Sequence, residues 1–188
     1  MPDEKKPEYP NAKIAFEEIK SEYEMENERE NKIASKSSAF ITVIIAVVAL
    51  FIPLVPFDRL KNFFSNIQNT EEKWIVIVSL FLLVGGLAVL MVAFGFFIKA
   101  YSVKGYNRVE VDDLMQIANQ QENADPESQI YQGLVAHYHK TLRGTMDKAG
   151  NMKINTESAS SNRSGIVLTV VGFAIISVST IALRILVV

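Results

Sequence analysis

The sequence contains no cysteine. Disulfides, thiolate catalysis and cysteine-ligated metal sites are therefore excluded. It also lacks a Walker loop, a GxSxG nucleophile elbow, an HExxH zinc motif and a dinucleotide fingerprint. The two histidines, His137 and His139, lie two positions apart on a predicted helix, whereas metal-binding pairs on helices are spaced by three or four. We expect no catalytic residue, no metal site and no cofactor.

An excess of charge of either sign is absent as well. The 19 Lys and Arg residues nearly balance the 21 Asp and Glu residues, and the formal net charge is −2. No segment interleaves basic with aromatic residues as nucleic-acid-binding surfaces do. Binding of duplex nucleic acid is therefore not expected.

Apolar residues are concentrated in three blocks, 37–56, 74–98 and 164–188. Each block reaches the roughly 20 residues that a helix needs to cross the hydrocarbon core of a bilayer. The first block follows a long charged segment and lacks an A-x-A cleavage site, so it does not resemble a signal peptide. The sequence predicts an all-α membrane protein, in contact with membrane lipid, that has three transmembrane helices and a helical cytoplasmic stalk.

Basic residues at the ends of the blocks predict how the chain crosses the membrane, because cytoplasmic flanks collect Lys and Arg. They are about twice as numerous on one side as on the other. One side has Arg29, Lys32, Lys36, Lys99, Lys104, Arg108, Lys153 and Arg163, and the other has Arg59, Lys61, Lys73 and Arg184. This bias places segments 1–36 and 99–163 in the cytoplasm, and the loop 57–73 and the C-terminus outside.

The outer loop, FDRLKNFFSNIQNTEEK, carries apolar residues at helical spacing, namely Leu60, Phe63, Phe64 and Ile67. Such a stripe favours an amphipathic helix that lies in the membrane interface. The alternative is a mobile loop whose phenylalanines touch lipid.

Segment 1–36 has apolar residues at roughly helical intervals, and residues 11–38 contain no proline or glycine. This pattern indicates an amphipathic helix that continues into the first span. Its many glutamates are most simply a solvated face, and the alternative is a cation or partner site.

Two helices are predicted in segment 99–163. A short one begins near Asp112, and a second one begins at Pro126 with Asp125 as its N-cap. The second helix is expected to run on into the third span, with a bend near Gly144 or Gly150. Because amphipathic helices must bury their apolar stripes against other helices, we expect a homo-oligomer, with a tetramer as the working stoichiometry.

Four basic residues on the cytoplasmic side are the candidate ligand-binding residues: Lys140, Arg143, Lys148 and Lys153. Copies brought together in an oligomer would form a basic ring able to hold phosphates. The alternative is a solvated face combined with the cytoplasmic bias in basic charge.

Small and polar residues form stripes within the blocks. Thr169, Gly172, Ile176 and Ser179 share one face of the third span, and Thr42, Ala46, Ala49 and Pro53 share one face of the first. Such stripes are typical of helix packing in membranes, but in an oligomer they also line pores. Arg184 is expected to snorkel to the outer headgroups or, as the alternative, to form a ring at the pore mouth.

One stretch supports a resemblance to a known family. The segment ENERENKIASKSSAFITVIIAVVALF passes through Lys36, Ser37, Ser38 and Ala39 into the first span. It resembles the DxKAxxLL entry of small bacterial transmembrane effectors in nucleotide-signalling anti-phage defence, which include the Pycsar and CBASS membrane effectors. The layout is similar too, because the last span is entered through NMKINTESASSNRSGIVLTVV. The aspartate that precedes the family's lysine is absent from residues 34–38.

The resemblance implies an oligomeric effector of the bacterial inner membrane that permeabilises this membrane when a nucleotide signal binds or is released. It also implies a nucleotide ligand or a nucleotidyltransferase as the partner, but it transfers no ligand-site residue. A membrane scaffold that tethers a soluble enzyme through the acidic N-terminal helix is the alternative. An enzyme ranks last, because no constellation of reactive groups is found.

Overall fold

The computed structural model describes residues 11–66, 70–102, 109 and 126–187. These residues form five α-helices: α1 (Ala12–Phe51), α2 (Phe57–Asn66), α3 (Thr70–Tyr101), α4 (Pro126–Arg143) and α5 (Asn151–Val187). A short 3-10 helix, Ile52–Leu54, follows α1. Three of the helices, α1, α3 and α5, are long and apolar enough to cross a membrane. The predicted all-α membrane fold with three spans is confirmed.

The described chain divides into two compact units. One contains residues 34–102 and 159–188, and the other contains residues 1–33 and 103–158. We call them the span unit and the stalk unit. Helices α1 and α5 each contribute residues to both units. The prediction that the N-terminal amphipathic helix continues into the first span is confirmed, since α1 has 40 residues without a break.

The span unit is a bundle in which α3 runs opposite to α1 and α5. The ring of Phe97, near the end of α3, stacks on Phe40 of α1 and lies against Gly165 of α5. Further along α5, Phe173 meets Phe51 edge to face. The order of these contacts shows that α1 and α5 run in the same direction.

The buried residues of α3 repeat at alternating intervals of three and four. They are Val76, Ser79, Leu83, Gly86, Leu90, Ala93, Phe97 and Ala100. This 3.5-residue period keeps one face of a helix turned toward its neighbours over many turns, as in a coiled coil. The remaining large apolar side chains of α3 are mostly exposed, which suits a surface in contact with lipid.

The loop 57–73, which is predicted to contain an amphipathic helix, does contain one, α2. Leu60 is buried in the apolar core of the span unit, and the half-buried Phe63 packs against this core. Phe57 and Phe64 are exposed. Ile67 lies outside the described residues. The mobile-loop alternative is therefore wrong for residues 57–66.

The stalk unit is built on the first half of α1. Phe16 contacts Tyr131 of α4, and Tyr23 contacts Tyr138 about two turns further on. Glu26 of α1 then accepts a hydrogen bond from Asn155 of α5. Contacts therefore advance together along the helices, so α4 and the first turns of α5 run in the same direction as α1.

The prediction of one continuous helix from residue 130 into the third span is wrong. Helix α4 begins at Pro126, as predicted, but ends at Arg143, and α5 begins at Asn151. The expected helix near Asp112 and the expected N-cap Asp125 lie outside the described residues. Residues 144–150 leave the helical path as a small closed loop, which we call the knob.

Glycine at both ends makes the knob possible. Gly144 has φ of +87°, a conformation that side chains rarely adopt, and a Cβ there would lie 2.3 Å from the carbonyl oxygen of Lys148. A Cβ on Gly150 would meet the backbone of residues 142–144. The Thr145 amide donates to the Lys148 carbonyl at 2.8 Å, which closes the loop. The sequence predicts a bend in one helix near Gly144 or Gly150, whereas these glycines mark the two ends of a loop between two helices.

We predict that Gly144→Ala destabilises the stalk unit by about 2 kcal/mol, because an L residue pays for the left-handed conformation and its Cβ meets backbone. Thermal unfolding of the purified protein in detergent, followed by circular dichroism, measures the effect. Gly95→Ala on α3 is the matched control, since a Cβ there meets nothing within 4 Å. Equal melting temperatures for Gly144→Ala and the wild type would contradict the account of the knob.

Candidate functional site

The stripe of small residues on α5 packs against α3 of the same chain. Gly172 is buried, and a Cβ there would lie 2.8 Å from Leu90 Cδ2 and 3.2 Å from the carbonyl oxygen of Gly86. A Cβ on Gly86 would lie 2.7 Å from Ile176 Cγ1. Absence of side chains at Gly86 and Gly172 thus lets the two backbones approach closely. Such contacts hold membrane helices together where lipid removes the hydrophobic driving force.

The polar members of the stripe are satisfied by their own helix. The Thr169 hydroxyl donates to the Gly165 carbonyl at 2.8 Å, and the Ser179 hydroxyl donates to the Ile175 carbonyl at 2.7 Å. Both side chains are buried. Within the chain, this face of α5 therefore serves helix packing, and its hydroxyls are turned to their own backbone.

The corresponding stripe on α1 is covered by none of the described helices. Thr42, Ala46, Ala49 and Pro53 are all exposed. The Thr42 hydroxyl donates to the Ser38 carbonyl at 3.2 Å, so the polar group is satisfied locally. The two stripes that looked equivalent in sequence thus differ in the structure, one being covered by α3 and the other being open.

Arg184 is exposed near the end of α5, and its Nε donates to the Leu54 carbonyl at 3.3 Å. Leu54 ends the 3-10 helix that follows α1. The guanidinium therefore caps a free carbonyl at this end of the span unit and keeps the remainder of its donors for solvent or headgroups.

A buried polar pair lies where α1 and α5 enter the span unit. The Asn162 amide donates to the Ser37 hydroxyl at 2.8 Å, and both side chains are buried. Ser37 belongs to the segment that carries the family resemblance, and Asn162 belongs to the serine-rich entry of the third span. The sequence pattern alone does not pair these two residues.

A second buried polar contact joins α1 and α5 in the stalk unit. Asn155 is fully buried, and its amide donates to the Glu26 carboxylate at 2.7 Å and to the Glu26 carbonyl at 2.8 Å. Arg29 pairs with the same carboxylate at 3.3 Å. Asn151, Asn155, Ser158 and Asn162 are all buried at intervals of four and three, a polar stripe that the sequence pattern would have revealed.

Aromatic rings fill the contact between α1 and α4. Phe16 lies 5.5 Å from Tyr131 and 5.8 Å from Tyr138 between ring centroids, and Tyr23 lies 5.2 Å from Tyr138 in an edge-to-face arrangement. Burial, with smaller effects of Tyr23 and Glu24, raises the pKa of Tyr138 above its usual value. The rings pack against one another, so the cluster joins the two helices.

The four predicted ligand-binding residues are all exposed. Arg143 at the end of α4 forms an ion pair with Glu22 of α1 at 3.8 Å. Lys140 lies one turn before it, Lys148 lies in the knob, and Lys153 lies in the first turn of α5. The structure therefore spreads them over the end of one helix, the knob and the start of the next helix, and one of the four is engaged by a glutamate.

We predict that valine at position 86 or 172 loosens the contact between α3 and α5. Each substitution puts side-chain atoms where Ile176 or Leu90 already lies, and overpacking of this kind costs about 1–3 kcal/mol. Gly85→Val is the matched control, because Gly85 is adjacent in sequence and nothing lies within 4 Å of its Cβ position. Lower melting temperatures in detergent for Gly86→Val and Gly172→Val, but not for Gly85→Val, are expected.

A double-mutant cycle tests the pair of Ser37 and Asn162. We expect Ser37→Ala and Asn162→Ala to be coupled by about 1 kcal/mol, a value usual for buried hydrogen bonds and at the upper end for membrane helices. Unfolding of the protein in mixed micelles by added sodium dodecyl sulfate measures each free energy. The exposed neighbour Ser38, replaced by alanine together with Asn162→Ala, supplies the control, and an equal coupling there would refute a specific pair.

Comparisons with known proteins identify no relative of this chain. No family model matches the chain, no curated protein matches it, and no solved structure matches it. The resemblance to membrane effectors therefore depends on the two membrane-entry segments and on the order of the helices.

Proposed function

We propose that the protein is a homo-oligomeric effector of the bacterial inner membrane that permeabilises or depolarises this membrane during anti-phage defence. Its spans form the pore, and a nucleotide-type signal or a partner protein acts on the stalk unit. The observation that carries this proposal is the open stripe on α1. In the most apolar window of each helix, 11% of α1 is buried inside the chain, against 33% of α5. Helix α1 thus has the largest free surface for contacts between copies.

The open stripe suits such a contact because its residues are small. Ala46 and Ala49 permit close approach of a second backbone, and Pro53 ends the tightly packed stretch. Thr42 supplies a hydroxyl that is able to exchange its bond to the Ser38 carbonyl for a bond to water. In the proposed oligomer, neighbouring copies of α1 meet along this stripe and Thr42 faces the water path.

Gating follows from the two buried polar contacts between α1 and α5. A slide of α5 along α1 would break the bonds of Asn155 and Asn162 and leave polar groups buried, which makes intermediate positions costly. Two discrete arrangements are then favoured over a continuous range. A signal that binds the stalk unit more tightly in one arrangement shifts the population toward that arrangement.

The experiment is recording of ion current in planar bilayers with purified protein, with and without candidate cyclic nucleotides, together with native mass measurement. We expect an oligomer and a conductance that responds to a signal. Ala46→Leu should abolish both by filling the stripe on α1. Ala88→Leu is the matched control, since it makes the same change at an exposed position of α3. A monomer without conductance under every condition would refute the proposal.

The alternative function is a scaffold that recruits a soluble enzyme through α1. The exposed glutamates of the stalk unit favour this reading, because Glu17 and Glu18 have no ion-pair partner among the described residues. Deletion of residues 1–30 would then abolish recruitment of the partner, whereas Ala46→Leu would be silent in cells.

A further inference from the structure

The knob carries an apolar side chain that the described residues leave fully exposed. Met146 is 107% exposed at the tip of the loop. Thr145 and Lys148 exchange backbone hydrogen bonds of 2.8 and 3.4 Å on either side of it, so the tip is held in place. Methionine is enriched where proteins meet, because its flexible side chain adapts to the partner surface.

The surroundings of Met146 are basic. Residues 140–153 contain four basic side chains and one acidic side chain, Asp147, a net charge of +3. Arg143 is paired with Glu22, so the three lysines outnumber Asp147 on this surface. Lys140, Lys148 and Lys153 are exposed and have no ion-pair partner among the described residues. A partner for the knob should therefore present an apolar side chain flanked by acidic residues.

Helix α1 presents such a surface, which we call the acidic face. It consists of exposed residues at positions i, i+3, i+4 and i+7, namely Ser21, Glu24, Met25 and Glu28. Met25 is 62% exposed. Glu24 and Glu28 form ion pairs with Lys20 and Lys32 one turn away, and all four side chains of these pairs are at least half exposed. Exposed pairs of this kind contribute little to stability, so they exchange readily for other partners.

The knob and the acidic face lie at the same level of the stalk unit. The knob connects Arg143, which contacts Glu22, with the first turns of α5, where Asn155 contacts Glu26. It therefore leaves the helical path beside residues 22–26 of α1, where Met25 lies. Copies of a membrane-spanning chain share one orientation and are related by rotation about the membrane normal, so equal levels of neighbouring copies meet.

From this match of charge, apolar surface and level, we infer that the knob of one copy docks on the acidic face of a second copy. Met146 contacts Met25, and Lys148 lies between Glu24 and Glu28. The inference rests on the proposed homo-oligomer and names the contact that holds it together outside the spans. Because the two surfaces differ, the interface is heterologous, and repetition by rotation closes it into a ring.

Disulfide cross-linking tests the contact directly, since the chain contains no cysteine of its own. One copy carries Met146→Cys with one tag, and a co-expressed copy carries Met25→Cys with a different tag. Oxidation in native membranes should produce a disulfide between differently tagged chains. Asn27→Cys is the matched control, because it is exposed but lies about 200° around α1 from Met25. Equal yields from positions 25 and 27 would overturn the inference.

Charge reversal gives an independent readout in the full-length protein. We expect Lys148→Glu to weaken association of the purified protein by about tenfold, the factor that corresponds to about 1.4 kcal/mol. The same change combined with Glu24→Lys and Glu28→Lys should restore association, which a mere loss of folding would not allow. An oligomer by native mass that shows no selective cross-link and no rescue would overturn the knob contact and leave the proposed function standing. A monomer in every variant and in the wild type would overturn both.

Discussion

The close approach of α3 and α5 at Gly86 and Gly172 is the contact on which the arrangement of the span unit depends. Lipid tails are as apolar as the helices, so burial of apolar area does not choose between a neighbouring helix and lipid. Close packing between backbones favours the neighbouring helix over lipid, and only glycine permits such close packing at these two positions. Once α5 has covered its small stripe with α3, that stripe is no longer free. The small residues of α1 are left as the open surface of the bundle.

Polar contacts then fix the register that close packing alone would leave loose. Small side chains slide past one another easily, whereas a buried amide that loses its partner pays a desolvation penalty of about 1–3 kcal/mol. Asn155 and Asn162 each find a partner on α1, one in the stalk unit and one in the span unit. A second register of α5 against α1 would be equally well defined, provided that the two amides find new hydrogen-bond partners there.

The fold followed from the sequence more completely than the site did. The three spans and helix α2 follow from the length and spacing of apolar residues, because a bilayer admits few other solutions. The knob could not be predicted from the sequence, because glycines at positions 144 and 150 are equally compatible with a bent helix and with a loop between two helices. Whether a stripe of small residues is covered or open depends on which other helix packs against it. The residue pattern of one helix does not contain that information.

These limits bear on where the basic residues act. The sequence alone suggests an anion site at these basic residues, but Arg143 pairs with Glu22, and Lys148 lies on a loop that also exposes Met146 and Asp147. Charged side chains beside an exposed methionine suit a protein surface better than they suit a small phosphate ligand, which needs converging donors in a closed pocket. In the proposed oligomer, a phosphate that did bind these lysines would compete with the glutamates of the neighbouring copy. Recognition of a signal and contact between copies would then be alternative uses of the same charges, and this exclusion is what would couple ligand to pore.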